Sequence, residues 1–567
     1  MEETGEAKDV PSELDLQFDA ITAHITGPGG PIEATGDERG RRTAAKLPPT
    51  LPQMLDLACG LNREKLGVIA GEEELTFGEI GMAGHRAAGA LVTAQGIKPG
   101  DRVAIAMRNC PAWILSYMAV LKAGGIATLI NGWWERDELA HALKLTDPVL
   151  VIADAPRAKR IADAGWGGRV VTLPVERPIA EAMAPLGEPE TGPMPVLDPD
   201  MDATILFTSG STGDAKGAVS THRAVTSATY NFAAAIGTVG AMLERRLGGP
   251  APNPPRALIG IPFFHVTGAV PLMLLSFVIG RGMVLMPKWD AGEALKLIEK
   301  HRVTYFLGVP TMSLELSMHP DREKHDLSSL TDVAAGGAPR PVAHVHRLRE
   351  TMAPAQPGLG YGLTETNATG CTNFWENYVA KPASTGRPQP FVDLTIVDED
   401  RRPVPAGTVG EVAIRTLGNV RGYWLNEEAT RAAFDSDGRF YTGDLGYLDE
   451  DGYLFIVDRK KDIIIRGGEN ISAAEVESAI SQHPDVVEAS VFGLDCERLG
   501  EQPGAVIHVR EGGTLDHQGL LGFLEGKLAR FKMPARLWVH EAPLPKLGTG
   551  KIDKVSLRAL YRGQLNS

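Results

Sequence analysis

The chain has 567 residues, more than one hydrophobic core accommodates, so at least two domains are expected. Hydrophobic residues make up 43% and charged residues 23%, the balance of an ordinary globular protein in water. A net charge of −14 argues against a nucleic-acid binder, which needs a basic face, but leaves room for a local positive cluster around an anionic substrate.

Residues 1–45 are rich in Gly, Asp, Glu and Arg and read as a loose extension, with one short ordered stretch near residues 16–25. The first residues, Met1-Glu2-Glu3-Thr4, are acidic and polar, so no signal peptide is expected. From Thr76 onward helices and strands alternate. Helices are predicted over 77–94 and 111–123, and strands over 102–107, 126–130, 149–153 and 170–172. Residues 174–201 are rich in Pro and Glu and read as a surface loop. Strand–helix alternation resumes over 257–310, which implies parallel sheets covered by helices.

The most apolar run, 266–280, ends at Arg281 and falls short of the ~20 residues a spanning helix needs. With Pro271 inside it, it reads as a buried helix leading to a strand at 283–286, and no integral membrane segment is expected. Near residue 390 short strands separated by Asp-Gly turns indicate a small β-rich subdomain. After Arg459-Lys460-Lys461-Asp462 comes a compact unit. Its first helix begins at Ser472 with Glu475 three residues on, the spacing of a capping box. The domain boundary is expected at 458–462. The four cysteines, Cys59, Cys110, Cys371 and Cys496, are widely spaced and form no C-x-x-C pair, so neither a zinc site nor a disulfide framework is expected. That usage suits a reducing, cytoplasmic setting.

Four motifs carry chemistry. Thr208-Ser209-Gly210-Ser211-Thr212-Gly213-Asp214-Ala215-Lys216-Gly217 follows an apolar run that reads as a strand. Gly and hydroxyl residues let N–H and O–H groups converge on phosphate oxygens, and the lysine adds a point charge. The Walker A spacing fails, because the fifth residue after Gly210 is Ala215. Taken alone, the segment also fits a surface turn.

Gly360-Tyr361-Gly362-Leu363-Thr364-Glu365-Thr366 offers a hard oxygen ligand for Mg²⁺ in Glu365, a phosphate partner in Thr364 and a stacking ring in Tyr361. Tyr441-Thr442-Gly443-Asp444-Leu445-Gly446 offers Asp444 as an acceptor for ribose hydroxyls, although a turn aspartate is the commoner use. Pro545-Lys546-Leu547-Gly548-Thr549-Gly550-Lys551 ends in a lysine that, alone, reads as an exposed charge.

In this order and at these spacings the motifs resemble the adenylate-forming superfamily, which contains acyl-CoA synthetases, luciferases and peptide-synthetase adenylation domains. The resemblance covers residues 51–561. It implies an α/β protein: a large N-terminal domain of stacked α/β sheets with a β-rich subdomain, and a small, mobile α+β C-terminal domain. The expected division is an extension over 1–45, a body over 46–458 with its β-rich part near 390–458, and a mobile unit over 459–567.

The resemblance also implies roles. Thr208, Ser209, Gly210, Ser211, Thr212, Gly213 and Lys216 hold the pyrophosphate end of ATP. Gly337, Ala338 and Pro339, after Gly336, line the adenine and acyl pocket with Tyr361. Thr364 contacts the α-phosphate, Glu365 holds Mg²⁺, and Asp444 and Arg459 bind the ribose. Lys461 is the hinge. Gly467, Gly468 and Glu469, with Asn470, shape the pantetheine tunnel. Lys551 bridges the substrate carboxylate and the α-phosphate.

The implied reaction joins a carboxylate to the α-phosphorus of ATP, releases pyrophosphate, and passes the acyl group to the thiol of coenzyme A. Two anions must meet, so cations belong at the meeting point. His265, within Pro262-Phe263-Phe264-His265-Val266-Thr267-Gly268, is similar to the residue that acyl- and aryl-CoA ligases carry where amino-acid-activating domains use aspartate. A buried structural histidine fits the same position. Pocket segments expected at 230–235, 266–269, 308–312 and 367–370 are apolar or small, which favours a hydrophobic monocarboxylate, fatty first and aromatic second.

Only 16 residues follow Lys551, so free coenzyme A is preferred to a fused carrier. Loading of a separate carrier protein and a catalytically silent nucleotide- or acyl-binding protein are the alternatives. Small molecules (the acid, ATP and coenzyme A) are the expected partners, nucleic acid is not, and a homodimer is compatible with the pattern. The loop pair Trp133-Trp134 reads equally as surface packing or as part of a hydrophobic entry.

Overall fold

The structure is a computed structural model that describes residues 12–189, 193–208, 215–467, 469–496, 498–546 and 552–563. Among these residues two large sheets carry the body of the fold. One orders its strands Gly422–Tyr423, Lys216–Thr221, Asp202–Thr208, Ile126–Leu129, Arg102–Ala106, Leu150–Asp154 and Val170–Leu173. Its strands Ile126–Leu129 and Leu150–Asp154 are buried along their whole length, as unbroken apolar runs in a parallel sheet require.

The second sheet runs Arg387–Pro388, Gly370–Phe374, Gln356–Gly362, Asp332–Gly336, Tyr305–Gly308, Arg256–Ile259, Gly282–Leu285, Leu66–Ala70 and Glu73–Thr76. Its five central strands, from Gln356–Gly362 to Gly282–Leu285, are parallel. Local chemistry sets several helix starts. Thr76 caps the Phe77–Thr93 helix in a reciprocal box with Glu79. Every residue of the Pro111–Lys122 helix is buried, which suits a helix that is apolar almost all round.

A four-stranded antiparallel sheet follows: Asp393–Val397, Gly410–Arg415, Phe440–Leu448 and Leu454–Arg459. The last sheet contains Ile464–Arg466, Glu469–Ile471, Val486–Cys496, Gly500–Val509 and Arg536–Val539. It has its own core, in which Ile471, Val476, Ile480, Val491, Ile507 and Leu524 meet. Ser472 caps the Ala473–Ile480 helix by accepting from the N–H of Glu475.

No helix among the described residues is long and apolar enough to cross a membrane. The apolar run at 266–280 instead forms a π-helical turn, Gly268–Leu274, and the short helix Leu275–Ile279, packed into the main core ahead of Gly282–Leu285. The supposed surface loop at 174–201 contains the helix Ile179–Met183 and a 3₁₀ turn at Ala184–Leu186. Ala182 and Leu186, four apart, turn inward and are buried.

In the amino-terminal extension the ordered stretch expected near residues 16–25 is present and longer than expected, and it is docked on the body rather than loose. Glu13–Thr26 is a helix with a capping box between Ser12 and Asp15. Phe18 stacks on Phe374 at 6.0 Å and meets Trp375 edge-on at 6.2 Å. Asp15, 5% exposed, accepts from Tyr453 Oη at 2.7 Å and Asn377 Nδ2 at 2.9 Å. The polar composition of the segment conceals these two residues, which supply partners too distant in the chain for any local pattern to reveal. Removing the acceptor from this buried cluster leaves its donors unpaired. Asp15→Ala should therefore lower stability by about 3 kcal/mol, read as an earlier midpoint in urea denaturation.

Candidate active site

Thr208 ends the strand Asp202–Thr208 and is the register partner of Lys216, which starts the neighbouring antiparallel strand. The two ends of the glycine-rich segment are therefore fixed against each other. Ser209, Gly210, Ser211, Thr212 and Gly213, expected to contact phosphate, lie outside the described residues. Lys216 Nζ stands 5.2 Å from the centre of the Tyr423 ring. The Tyr423 hydroxyl donates to Glu365 Oε1 at 2.8 Å. One tyrosine thus joins the cation of the first motif to the carboxylate of the second.

Sequence reasoning missed Tyr423. Its relation to Lys216 rests on the pairing of Gly422–Tyr423 with Lys216–Thr221, some 200 residues earlier in the chain, and no local periodicity reports it. Burial pushes the Glu365 carboxyl above its usual range, and the Tyr423 hydrogen bond works in the opposite direction. Thr364 and Glu365 lie in the 3₁₀ turn Thr364–Thr366, directly beyond Gln356–Gly362.

Asp444, 4% exposed, is the register partner of Arg459, whose Nε lies 2.9 Å from Asp444 Oδ1. The Tyr361 hydroxyl donates to Asp444 Oδ2 at 2.7 Å. Burial, and then the Asp444 carboxylate, drive the Tyr361 phenol well above its usual range, so it remains a donor. Anchored through its hydroxyl, the Tyr361 ring packs against the core of the four-stranded sheet and, contrary to expectation, does not line the apolar cavity; its strand neighbours Gly360 and Gly362 do.

That cavity encloses about 630 Å³ of space, part of it open to solvent. One end is formed by Gly336, Gly337, Gly360 and Gly362, beside the second motif. Glycine is required here. Gly337 has φ +78°, and a Cβ on Gly362 would lie 2.0 Å from the carbonyl oxygen of Ala368. The walls include Phe232, Ala235, Ile236, Leu275 and Leu307, and Tyr305 and Phe374 line it as well. Of the segments expected to form a pocket, 230–235, 266–269 and 367–370 contribute, through Phe232, Ala235, Thr267 and Ala368. The segment 308–312 does not, while Tyr305, Leu307 and Phe374 escaped the sequence reading.

His265 itself does not line the cavity; Thr267 does, and the Thr267 N–H donates to His265 Nδ1 at 3.3 Å. The Trp133-Trp134 pair clasps two site segments. Trp133 meets Phe264, next to His265, edge-on at 5.2 Å, and Trp134 meets Phe207, next to Thr208, at 5.0 Å. Ala338 and Pro339 follow Gly337 on the turn beyond Asp332–Gly336.

Lys461 sits just past Leu454–Arg459, and burial lowers its ammonium pKa. Gly467 has φ +61°, and its N–H donates to Leu499 O at 2.7 Å; Glu469 is exposed on Glu469–Ile471. Gly468 and Lys551 lie outside the described residues.

Among the described residues no cluster of three or more His, Cys, Asp or Glu side chains is arranged to hold a metal ion. A lone desolvated carboxylate beside a phosphate-type loop still fits Mg²⁺, which commonly takes one or two carboxylates and completes its shell with substrate phosphates and water.

Paired strand ends at Thr208 and Lys216, a carboxylate clamped by phenol and guanidinium, and an apolar cavity lined from the strand that carries Tyr361 are thus brought into one part of the fold. Residues 56–424 match the AMP-binding enzyme family and residues 475–551 the AMP-binding enzyme C-terminal domain; the chain belongs to this family. It is 32% identical over 537 residues to a long-chain-fatty-acid–CoA ligase of Bacillus subtilis, covering 89% of this chain and 93% of that protein. It is 35% identical over 493 residues to a feruloyl-CoA synthase of Amycolatopsis, covering 87% and 95%. Among solved structures, the o-succinylbenzoate CoA synthetase MenE of Bacillus subtilis, in complex with its acyl-adenylate intermediate, superposes with a TM-score of 0.77. The identity is 27%, over 89% of this chain and 97% of that one. ATP-bound MatB of Rhodopseudomonas palustris gives 0.78 at 28% identity, over 90% and 99%.

Because Tyr361 is one of the donors that compensate a buried carboxylate, Tyr361→Phe should destabilise the fold by about 1–2 kcal/mol. A shift of the thermal midpoint in the absence of any nucleotide measures it.

Proposed function

We propose that the protein is an ATP-dependent acid–thiol ligase that converts a hydrophobic monocarboxylic acid to its acyl-adenylate and then to its coenzyme A thioester. The observation that carries this reading is that one strand, Gln356–Gly362, serves both parts: Tyr361 holds the Asp444 clamp, while Gly360 and Gly362 line the apolar cavity. A nucleotide whose ribose hydroxyls donate to Asp444 turns its α-phosphate toward the cavity mouth. There it can meet the carboxylate of an acid whose tail fills the cavity.

In this reading Lys216 and the segment 208–217 hold the pyrophosphate that leaves, and Thr364 steadies the α-phosphate. Glu365 would hold Mg²⁺, which when bound supplies positive charge to the phosphate oxygens. Tyr423 keeps the Glu365 carboxylate oriented. Lys551, assigned from its motif alone, brings the second cation between carboxylate and phosphorus. The Trp133-Trp134 pair supports both the phosphate segment and the His265 segment from behind.

The second step needs a thiol to approach the acyl carbonyl from another direction. We assign that exchange to rotation of residues 459–567 about Lys461, which would bring the segment 467–470 to the site in place of Lys551. In the arrangement described, Ser472 Oγ donates to Val457 O at 2.9 Å, and the Ala474 N–H donates to Asp458 Oδ2 at 3.2 Å. Rotation must break both bonds, a small barrier that suits a reversible movement. A reducing cytoplasmic setting accords with the free thiols of Cys59, Cys110, Cys371 and Cys496.

The test is pyrophosphate release across fatty, benzoic and cinnamic acids, with and without coenzyme A. Release that rises with coenzyme A, with AMP and an acyl thioester as products, is expected for one acid class. Release indifferent to coenzyme A would move the acceptor to a carrier protein. Silence from every acid would refute the reading.

The two-step logic also separates the roles of Lys551. Lys551→Ala should lower adenylation about 100-fold or more while leaving thioester formation from a supplied acyl-adenylate near the native rate. Single-turnover measurements of each half-reaction check this, and an equal loss in both would remove Lys551 from its assigned place.

A further inference from the structure

The cavity is largely apolar, and Tyr305 places a phenol in its lining. Tyr305 is the register partner of Asp332, and Gly336 that of Gly360. Tyr305 and Gly336 therefore stand four strand residues apart, roughly 13 Å at the rise of a parallel strand. The walls between them are apolar, but the floor is a tyrosine.

The ring of Tyr305 lies over the guanidinium of Arg281, with 4.7 Å from Cζ to its centre. Arg281 is itself buried, 3% exposed, and is held by Nε to Ser276 Oγ at 3.0 Å and by Nη2 to Pro271 O at 3.2 Å. Asp332, on the adjoining strand, is occupied by Trp375 Nε1 at 2.9 Å and Thr331 Oγ1 at 2.7 Å. Both charged neighbours thus have their own partners. The Tyr305 hydroxyl makes no hydrogen bond to any described residue. Burial raises its pKa to about 12, so at neutral pH it is a proton donor.

We infer that the acid accepted here ends in an oxygen, and that the Tyr305 hydroxyl donates to it. This rests on the reading of the cavity as the acid pocket and narrows its substrate class. The class is a monocarboxylic acid of about cavity length, apolar along its body, with a hydroxyl, carbonyl or ether oxygen at the end remote from the carboxylate. A purely hydrocarbon tail reaching the floor strips the phenol of water and returns nothing. A site built around a hydrogen bond discriminates strongly against the analogue that lacks the partner. Both an omega-oxygenated aliphatic acid and a para-oxygenated aryl acid meet this description, so both belong in the test.

The experiment uses non-hydrolysable acyl-sulfamoyl adenosines in two matched pairs, titrated calorimetrically into the full chain. One pair carries the cinnamoyl and para-hydroxycinnamoyl groups, the other the octanoyl and omega-hydroxyoctanoyl groups. The oxygenated member of at least one pair should bind about 10-fold tighter or more, and which pair shows it distinguishes the aryl from the aliphatic source. Tyr305→Phe keeps the ring over Arg281 and should reduce that ratio to about one, with no loss of affinity for the unsubstituted member.

Equal binding within both pairs, or a ratio that survives in Tyr305→Phe, overturns the inference while leaving the ligase reading intact. Failure of all four compounds to bind overturns the acid-pocket reading as well. The native chain decides the first question alone, so the result does not depend on the variant folding.

Discussion

Asp444 stands where three parts of the chain meet. Its own strand belongs to the four-stranded sheet, the phenol it accepts comes from the nine-stranded sheet, and its guanidinium partner sits at the strand end that leads to the last domain. A buried carboxylate is costly unless donors surround it, so the two sheets are tolerated together only in the register that delivers Tyr361 and Arg459. The cavity mouth inherits that register, because Tyr361 shares its strand with Gly360 and Gly362. In the proposed function the nucleotide adds its ribose to an acceptor already positioned for structural reasons.

A second consequence concerns the phosphate end. Lys216 and Glu365 bear opposite charges and are both tied to Tyr423, one through its ring face and one through its hydroxyl. A neutral side chain thereby holds a cation and an anion near each other without letting them collapse into an ion pair that would exclude the substrate. Phenylalanine at 423 would keep the first contact and lose the second.

Much of this was legible because it is local. Ser472 with Glu475 marks a helix start within four residues, and the structure has it. The motif residues Tyr361, Glu365, Asp444 and Arg459 were singled out because each sits in a short run of glycine and polar residues, and the structure ties Tyr361 and Arg459 to Asp444. What stayed hidden is what strand pairing assembles. Tyr305 and Phe374 lie on strands that reveal which face they line only once the sheet is built, and Tyr423 sits on a two-residue strand with no periodicity to detect. In the amino-terminal segment the ordered stretch was legible but its docking was not, because Asp15 and Phe18 find their partners more than three hundred residues away.

The docking of that amino-terminal helix sets an order of events during synthesis. Its partners, Asn377, Arg387 and Tyr453, leave the ribosome after more than three hundred further residues have been made. At ordinary elongation rates that interval is on the order of tens of seconds. Through it the apolar face carrying Phe18, Ile21 and Ile25 has no Trp375 or Phe391 to cover it. The nascent chain must therefore keep its first helix soluble while the nine-stranded sheet is completed. The capping box at Ser12 and Asp15, which needs nothing from the rest of the molecule, gives the waiting segment helical structure of its own.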